Sequence, residues 1–193
     1  WTRLILTCGG CRIRIIGRGR VPTNQPVVFV ANHASYLDPP LMMSLLPVGT
    51  RFAAKGRLAD YPILGLAIRK GGHIPIDKSN QAQRVEGASD IRQPLHKGES
   101  LFIFPEGTFE VAPRLLPFRL GAFHAAVETN CMIVPVAIRG TRHIFPARTL
   151  LLKPGSITVT FGQPRHANGS DWKEIVRLRD EARSFISKHC GES

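Results

Sequence analysis

The sequence predicts a single α/β domain in which helices flank a mixed, largely parallel sheet. Two observations support this prediction. Short apolar runs alternate along the chain with longer segments of helical spacing, and no repeat or linker divides the 193 residues. We expect residues 1–193 to form one domain, trimmed or excised at its N-terminus because the chain begins at Trp1 rather than at Met.

Seven segments have the composition of strands. In the first, Arg12 to Ile15, charged and apolar residues alternate, which predicts a half-exposed strand at a basic edge. The fourth, His73 to Lys78, contains Pro75, which is expected at an edge or a bulge. The other five are short, mostly apolar runs: the run that begins at Val27, Arg51 to Lys55, Ser100 to Phe104, Cys131 to Arg139, and Ile157 to Phe161.

Five segments between and after these strands are expected to be helical. The last is the best defined, because Asp171 and Glu174 form a capping box and apolar residues follow at helical spacing. An earlier one is mostly apolar but is interrupted by Pro62. The first four helices are predicted at Leu41 to Leu46, directly after two prolines, and at Leu58 to Arg69, Ser79 to Lys97 and Arg119 to Asn130.

Polar residues follow the second predicted strand, and among them are Asn32, His33 and Asp38. Open α/β sheets bind ligands at the carboxyl ends of their strands. A histidine has a reference pKa near 6.5 and is suited to accept a proton from a substrate hydroxyl, and a short turn allows Asp38 to reach its ring. The alternative is a loop histidine in solvent and a helix-capping aspartate. The fifth predicted strand also ends in polar residues, Pro105 to Thr108, so two strand ends carry groups of the catalytic type.

The chain carries a formal net charge of +12, which predicts attraction to an anionic partner: phospholipid, nucleic acid or an acidic carrier protein. Nucleic acid is disfavoured, because no nucleic-acid motif occurs and the basic residues are spread over the chain. Every apolar stretch is shorter than the roughly 18 to 20 residues of a membrane span, which predicts a protein that lies on a bilayer. Cys8 and Cys11 form a Cys-x-x-Cys without a second ligand pair, so we expect reduced thiols rather than a zinc site.

Four blocks, in this order, resemble the glycerophospholipid acyltransferases, the 1-acylglycerol-3-phosphate acyltransferase (PlsC) family: Asn32-His33-x4-Asp38, Gly72 to Lys78, Phe104 to Thr108, and Val134 to Gly140. Two further stretches, Ala54 to Leu58 and Leu115 to Phe123, are also similar to segments of that family. The resemblance covers about residues 20–165. It implies the glycerolipid acyltransferase fold.

The resemblance implies transfer of a fatty acyl chain from a thioester, acyl-CoA or acyl carrier protein, to a free hydroxyl of a lysolipid. His33 would be the general base and Asp38 its orienting partner, so the acceptor would attack the thioester directly. No Gly-x-Ser-x-Gly element offers a nucleophile of the protein's own, and no metal or bound cofactor is implied. The implied partners are the lysolipid acceptor, the thioester donor, an anionic membrane surface and, where it carries the acyl chain, an acyl carrier protein. Nucleic acid is not among the implied partners. The implied location is cytoplasmic, peripheral on the cytoplasmic face of a membrane.

The resemblance also implies a set of substrate-binding residues. Glu106, Gly107 and Thr108 lie in the family's acceptor-binding block, with the Gly107 amide a candidate oxyanion donor, and Lys55 matches a lysine linked with the acceptor phosphate. The alternatives are a turn-forming Glu106 and a solvated surface Lys55. Two departures concern the acceptor: Phe109 and Lys78 stand where the family usually has arginine, and the residues that would replace the missing charge are Arg114 and Arg119.

We expect Phe109 to shift acceptor preference away from a bare phosphomonoester, because it removes a guanidinium suited to phosphate. The alternative leaves lysophosphatidic acid as the acceptor, with another cation supplying the charge. Two other functions also remain open: a catalytically idle basic module that docks on lipid, and a thioesterase that acts on the same acyl donor.

Overall fold

The computed structural model describes residues 6–55, 74–76, 91–110, 112–146 and 151–192. Within these residues, seven strands form one sheet: β1 (Cys11–Ile16), β2 (Val27–Ala31), β3 (Arg51–Lys55), β4 (Ile74–Ile76), β5 (Leu101–Ile103), β6 (Met132–Arg139) and β7 (Gly155–Phe161). The helices are α1 (Asp38–Leu45), α2 (Gly121–Glu128), α3 (Thr141–Ile144) and α4 (Trp172–Cys190), with a 3-10 turn at Arg18–Arg20.

The sheet has the strand order β1-β7-β6-β2-β5-β3-β4. Every neighbouring pair is parallel except β6 and β7, which are antiparallel. The predicted mixed, largely parallel α/β fold is therefore confirmed. Because β2, β5 and β6 run in the same direction, their carboxyl ends meet at one edge of the sheet, and the residues that follow them come together there.

Helices cover both faces of the sheet, which explains why β2 is apolar at every position. Successive side chains of a strand point to opposite faces. Val28 and Val30 pack with buried residues of α2 and α4, whereas Val27, Phe29 and Ala31 pack with buried residues of α1. The central strand that delivers the site is thus held from both sides.

The described elements agree with most of the predicted ones, with small shifts at their ends. β4 lies at the edge of the sheet, as Pro75 predicted. The helix predicted at Leu41 starts earlier, at Asp38, because prolines fit the first helical turn, where no N–H is needed. The helix predicted at 58–69 and residues 77–90 lie outside the described residues, while 91–96 are helical. The short helix α3 was not predicted.

The predicted capping box of α4 is half formed, because the Glu174 side chain accepts the Asn168 N–H at 2.7 Å rather than that of Asp171. The Asp171 carboxylate accepts a hydrogen bond from the Glu174 N–H at 2.9 Å, and Gly191 ends the helix with φ +71°. The helix is 19 residues long and amphipathic, with Ile175, Leu178 and other apolar side chains against the sheet. Across the described part of the chain, no helix combines the length and the apolar character that crossing a membrane requires.

Candidate active site

The site lies where β2, β5 and β6 end. β2 leads directly into Asn32 and His33, β5 leads through Phe104 to Glu106, and β6 leads to Gly140. The side chain of His33 is 15% exposed and that of Asp38 is fully buried. The edge therefore places one partly accessible imidazole over a buried carboxylate.

The dyad is formed by the turn between β2 and α1. The Nδ1 atom of His33 lies 2.9 Å from Oδ2 of Asp38. The same oxygen accepts the backbone N–H groups of Ala34 at 2.7 Å and of Ser35 at 2.8 Å. These donors hold the carboxylate under the ring.

These contacts also assign the tautomer of His33. Oδ2 of Asp38 acts as an acceptor toward two backbone donors, so the proton in its contact with His33 belongs on Nδ1. The Nε2 atom then carries the free lone pair. Among the residues that the structure describes, Nε2 has no hydrogen-bond partner, so it is available to accept a proton.

Two aromatic side chains contact the imidazole, and a third packs against one of them. The ring of Phe104 stacks on it with centroids 4.1 Å apart, and the ring of Phe109 lies 4.6 Å away at a tilt. Tyr36, which is 60% exposed, packs edge-on against Phe109 at 4.9 Å. The imidazole therefore faces an apolar surface, and Phe109 is part of that surface.

Glu106 is buried beside the dyad, with only 3% of its surface exposed. Its Oε1 accepts the His33 N–H at 2.8 Å and its Oε2 accepts the Leu116 N–H at 2.7 Å. Burial raises the pKa of Glu106 to about 7, against the opposing effect of these two N–H donors, and the nearby carboxylates of Glu192 and Asp38 raise it further. The family resemblance implied that Glu106 binds substrate. In the structure, each of its oxygens accepts a backbone hydrogen bond, and substrate binding by Glu106 stays a prediction.

Two other residues anchor the catalytic turn, and sequence reasoning gave neither of them a role. Asn32 is buried and exchanges two hydrogen bonds with the backbone of Ile138 in β6, at 2.8 and 2.9 Å. The Ser35 hydroxyl donates to the carbonyl of Phe145 at 2.8 Å. All three bonds join residues more than 100 positions apart, so no local sequence pattern predicts them.

The remaining predicted binding residues are distributed around this edge. The Gly107 N–H donates to the Phe104 carbonyl at 2.9 Å, so an oxyanion role would require that bond to be shared or broken. Thr108 is exposed. Arg114 is exposed and pairs with Glu110 at 2.6 Å. The backbone N–H of Arg119 bonds to the Pro105 carbonyl at 3.0 Å, and its side chain is exposed.

Lys55 and Lys78 are the other two predicted substrate-binding cations. The backbone of Lys55 ends β3, and Lys78 lies outside the described residues. The ranges that the structure describes contain no group of three or more His, Cys, Asp or Glu side chains that could hold a metal ion. The four cysteines are free thiols.

The fold and the dyad first define a class of protein: an α/β domain that presents a histidine paired with a buried aspartate at the carboxyl edge of its sheet. Comparison with known proteins then identifies the family. The Acyltransferase family model matches residues 12–139, which is well over half of the chain, so the chain belongs to the Acyltransferase family. The predicted resemblance is thereby confirmed.

Several relatives named 1-acyl-sn-glycerol-3-phosphate acyltransferase match most of the chain. The protein from Cocos nucifera is 37% identical over 79% of this chain, and the one from Limnanthes douglasii is 35% identical over 88% of it. The human alpha form is 31% identical over 90% of this chain. The chain spans 49%, 59% and 62% of the length of these relatives, respectively.

A solved structure shows the same fold. The crystal structure of the 1-acyl-sn-glycerophosphate acyltransferase PlsC from Thermotoga maritima superposes with a TM-score of 0.82, over 97% of this chain and 74% of that chain. The two sequences are 24% identical. At this identity the likeness establishes the fold.

Proposed function

We propose that the domain transfers a fatty acyl chain from an acyl thioester to the free hydroxyl of a lysophospholipid, with 1-acylglycerol 3-phosphate as the acceptor. One observation carries the proposal: Nδ1 of His33 lies 2.9 Å from the buried Asp38 carboxylate, and Nε2 has no partner among the described residues. The choice of acceptor is supported by the relatives, which are named 1-acyl-sn-glycerol-3-phosphate acyltransferases. The donor is acyl-CoA or acyl carrier protein.

The reaction follows from the tautomer. Nε2 of His33 takes the proton of the acceptor hydroxyl while its oxygen bonds to the thioester carbonyl carbon. Asp38 stabilises the imidazolium that forms. When the tetrahedral intermediate collapses, the carbon–sulfur bond breaks and the imidazolium returns the proton to the leaving thiolate. The products are one ester and one free thiol, and His33 is neutral again.

Two substitutions test the dyad. His33→Ala removes the base, and Asp38→Asn keeps a carbonyl oxygen for the backbone donors of Ala34 and Ser35 but loses the charge. We expect each variant to reduce kcat by roughly 10² to 10⁴, with folding preserved in circular dichroism. Near-normal transfer by a folded His33→Ala protein would rule the mechanism out.

The surroundings of His33 favour transfer over the two alternative functions. Phe104 and Phe109 pack against the imidazole and leave 15% of the His33 side chain exposed. A lysolipid that packs against these aromatic side chains excludes water from His33. Water is the acceptor that a thioesterase would use. A catalytically idle module that only docks on lipid does not require an oriented histidine–aspartate pair. Incubation of the domain with acyl-CoA, with and without lysolipid, separates the outcomes as ester, free fatty acid or neither.

The acceptor phosphate needs a cation, and Arg119 is the candidate that we propose. Arg114 is already paired with Glu110, whereas the exposed side chain of Arg119 has no partner among the described residues, and its backbone is bonded beside Glu106. Loss of a charge-assisted hydrogen bond costs about 1.5 to 3 kcal/mol, so Arg119→Met should lower kcat/KM for lysophosphatidic acid by about 10- to 100-fold. Arg114→Met is the matched control.

The same assay decides the role of Phe109. Kinetics with lysophosphatidic acid and lysophosphatidylethanolamine are compared in the native domain and in Phe109→Arg. A native preference for the phosphomonoester supports the proposed acceptor. A native preference for the larger headgroup, reversed by Phe109→Arg, supports instead the expectation that Phe109 shifts the acceptor.

We also propose that the domain binds peripherally to an anionic membrane, at the cytoplasmic face, through a basic face defined by Arg12, Arg14 and Arg139. In the register of the sheet, Arg14 and Arg139 flank Thr158, so both point to one face about 10 Å apart, and Arg12 lies two residues from Arg14 on the same side. All three are exposed, and none has an ion-pair partner among the described residues.

Vesicle co-sedimentation tests this basic face. Each Lys or Arg near an anionic bilayer contributes about 1 kcal/mol, and salt screens that attraction. The double variant Arg12→Gln/Arg14→Gln should bind anionic vesicles more weakly than Arg92→Gln/Arg179→Gln, which removes the same charge from two arginines already paired with acids. Equal loss in both variants would contradict a localised face.

A further inference from the structure

Arg142 is a buried cation next to the site. It lies in α3, and its side chain is 15% exposed. Its Nε and Nη2 atoms donate to the two carboxylate oxygens of Glu192 at 2.7 Å each, and its Nη1 atom donates to the backbone carbonyl of Glu110. Glu192 follows the end of α4, and its side chain is 9% exposed. One guanidinium therefore joins three segments of the chain.

The carbonyl that Arg142 binds belongs to the residue directly after Phe109. Phe109 is the aromatic side chain that packs against the imidazole of His33 at 4.6 Å and against Tyr36 at 4.9 Å. A hydrogen bond to the Glu110 carbonyl fixes the main chain on one side of Phe109. The position of the aromatic ring beside the base is thus coupled to Arg142.

We propose that Arg142 is a positioning residue for the acyl transfer: Glu192 fixes its guanidinium, and the guanidinium holds the chain at Glu110 so that Phe109 packs against His33. The inference rests on the proposed function, because the positioned group is the proposed base. It assigns a role in turnover to two residues, Arg142 and Glu192, that are 50 positions apart.

The charge of Arg142 also suits this place. The Glu192 carboxylate raises the pKa of Arg142, and the carboxylates of Asp38 and Glu106 raise it further. Arg142 is therefore a permanent cation close to three acidic side chains. Lysine would reproduce these contacts only in part, because an ammonium lacks the planar fork that reaches both oxygens of Glu192 and a carbonyl at the same time.

A double-mutant cycle with Phe109 separates this role from a general contribution to stability. If Arg142 acts through Phe109, Arg142→Met should lower kcat in the native background by on the order of 10- to 100-fold, as small displacements at a reacting centre do. It should lower kcat little further in a Phe109→Ala background, while it lowers Tm in both backgrounds. Independent, multiplicative losses in kcat would overturn the proposal.

A second readout does not need activity. The Cε1–H proton of His33 senses the ring current of Phe109, and its NMR signal is assigned by its absence in His33→Ala. Arg142→Met should move this signal toward its position in Phe109→Ala. Arg92→Met, which breaks the exposed pair with Glu128, is the matched control and should leave it in place. An unmoved signal in Arg142→Met would also overturn the proposal.

Two further variants, Glu192→Gln and Arg142→Lys, test the positioning role of Arg142 independently. If Arg142→Met does not fold, Glu192→Gln replaces it, because it weakens the clamp and leaves the guanidinium in the protein. Arg142→Lys should give a kcat between those of the native protein and Arg142→Met. A native domain that transfers no acyl chain, but whose His33 signal moves as expected, refutes the proposed function and leaves the positioning intact.

Discussion

Replacement of Glu106 by glutamine should change how the stability of the domain depends on pH. The Glu106 carboxyl is 3% exposed and accepts backbone hydrogen bonds from His33 and Leu116, at 2.8 and 2.7 Å. Burial raises its pKa to about 7 from an ordinary value of 4.5. Glutamine has nearly the same shape but cannot ionise, so it removes the titration and retains the position.

The direction of this pH dependence follows from the number of protons bound in the folded and unfolded states. Between pH 4.5 and about 7, the folded protein keeps the proton on Glu106 while the unfolded chain has released it. The free energy of unfolding therefore falls as pH rises through this window. A shift from 4.5 to about 7, at about 1.4 kcal/mol per unit, corresponds to a loss of up to about 3 kcal/mol between pH 4 and pH 8.

Urea unfolding of the native protein and of Glu106→Gln, at several pH values from 4 to 8, measures this contribution. Glutamine offers one acceptor oxygen to two N–H donors, so the variant is destabilised by an amount that does not depend on pH. The decisive quantity is how the difference in unfolding free energy between the two proteins changes with pH. Glu99→Gln is a control of opposite sign, because its hydrogen bond with Arg51 lowers the pKa of Glu99. If the native stability relative to Glu106→Gln stays constant or increases toward pH 8, the reasoning fails.

Three other substitutions have expected outcomes in the same unfolding assay. Asn32→Ala should cost about 1 to 3 kcal/mol for each of the two backbone groups of β6 that lose their buried partner. Gly140→Ala should cost more than about 1 kcal/mol, because φ is +97° and a Cβ would lie 2.1 Å from the Ser156 carbonyl oxygen. Glu174→Gln should destabilise at pH 7 but progressively less as pH falls from 4.5 toward 2, because its hydrogen bond with Arg177 lowers the pKa of Glu174 to about 2.

The parts of the fold that sequence could predict are those with local causes. β2 is apolar at every position because helices cover both of its faces, and the N-cap bond of α4 joins Asp171 and Glu174, which are three residues apart. The contact between His33 and Asp38 spans five residues and is closed by one turn, so spacing and residue type were sufficient to propose it.

The supports of the dyad have no local cause, and there the sequence reasoning fell short. The family resemblance implied that Glu106 binds substrate, which stays a prediction, but it did not show that the Glu106 oxygens bind the His33 and Leu116 backbones, 73 and 10 positions away. Arg142 and Glu192 were not predicted as site residues, because no local sequence pattern indicates that the two residues, 50 positions apart, form a pair. Such pairs become visible only when the sheet order is known.

The hydrogen bonds within the dyad are local, but the immobilisation of His33 depends on all three strand ends. β2 supplies the histidine itself, and its backbone N–H is held by Glu106 after β5. Asn32, the preceding residue, is bonded to β6, and Phe109 packs against the ring. Each contact restricts the motion of the imidazole away from the position in which the proposed mechanism has it accept a proton, and such preorganisation favours fast proton transfer. For this reason, substitutions at residues that touch neither the acceptor nor the thioester should lower kcat more than they raise KM.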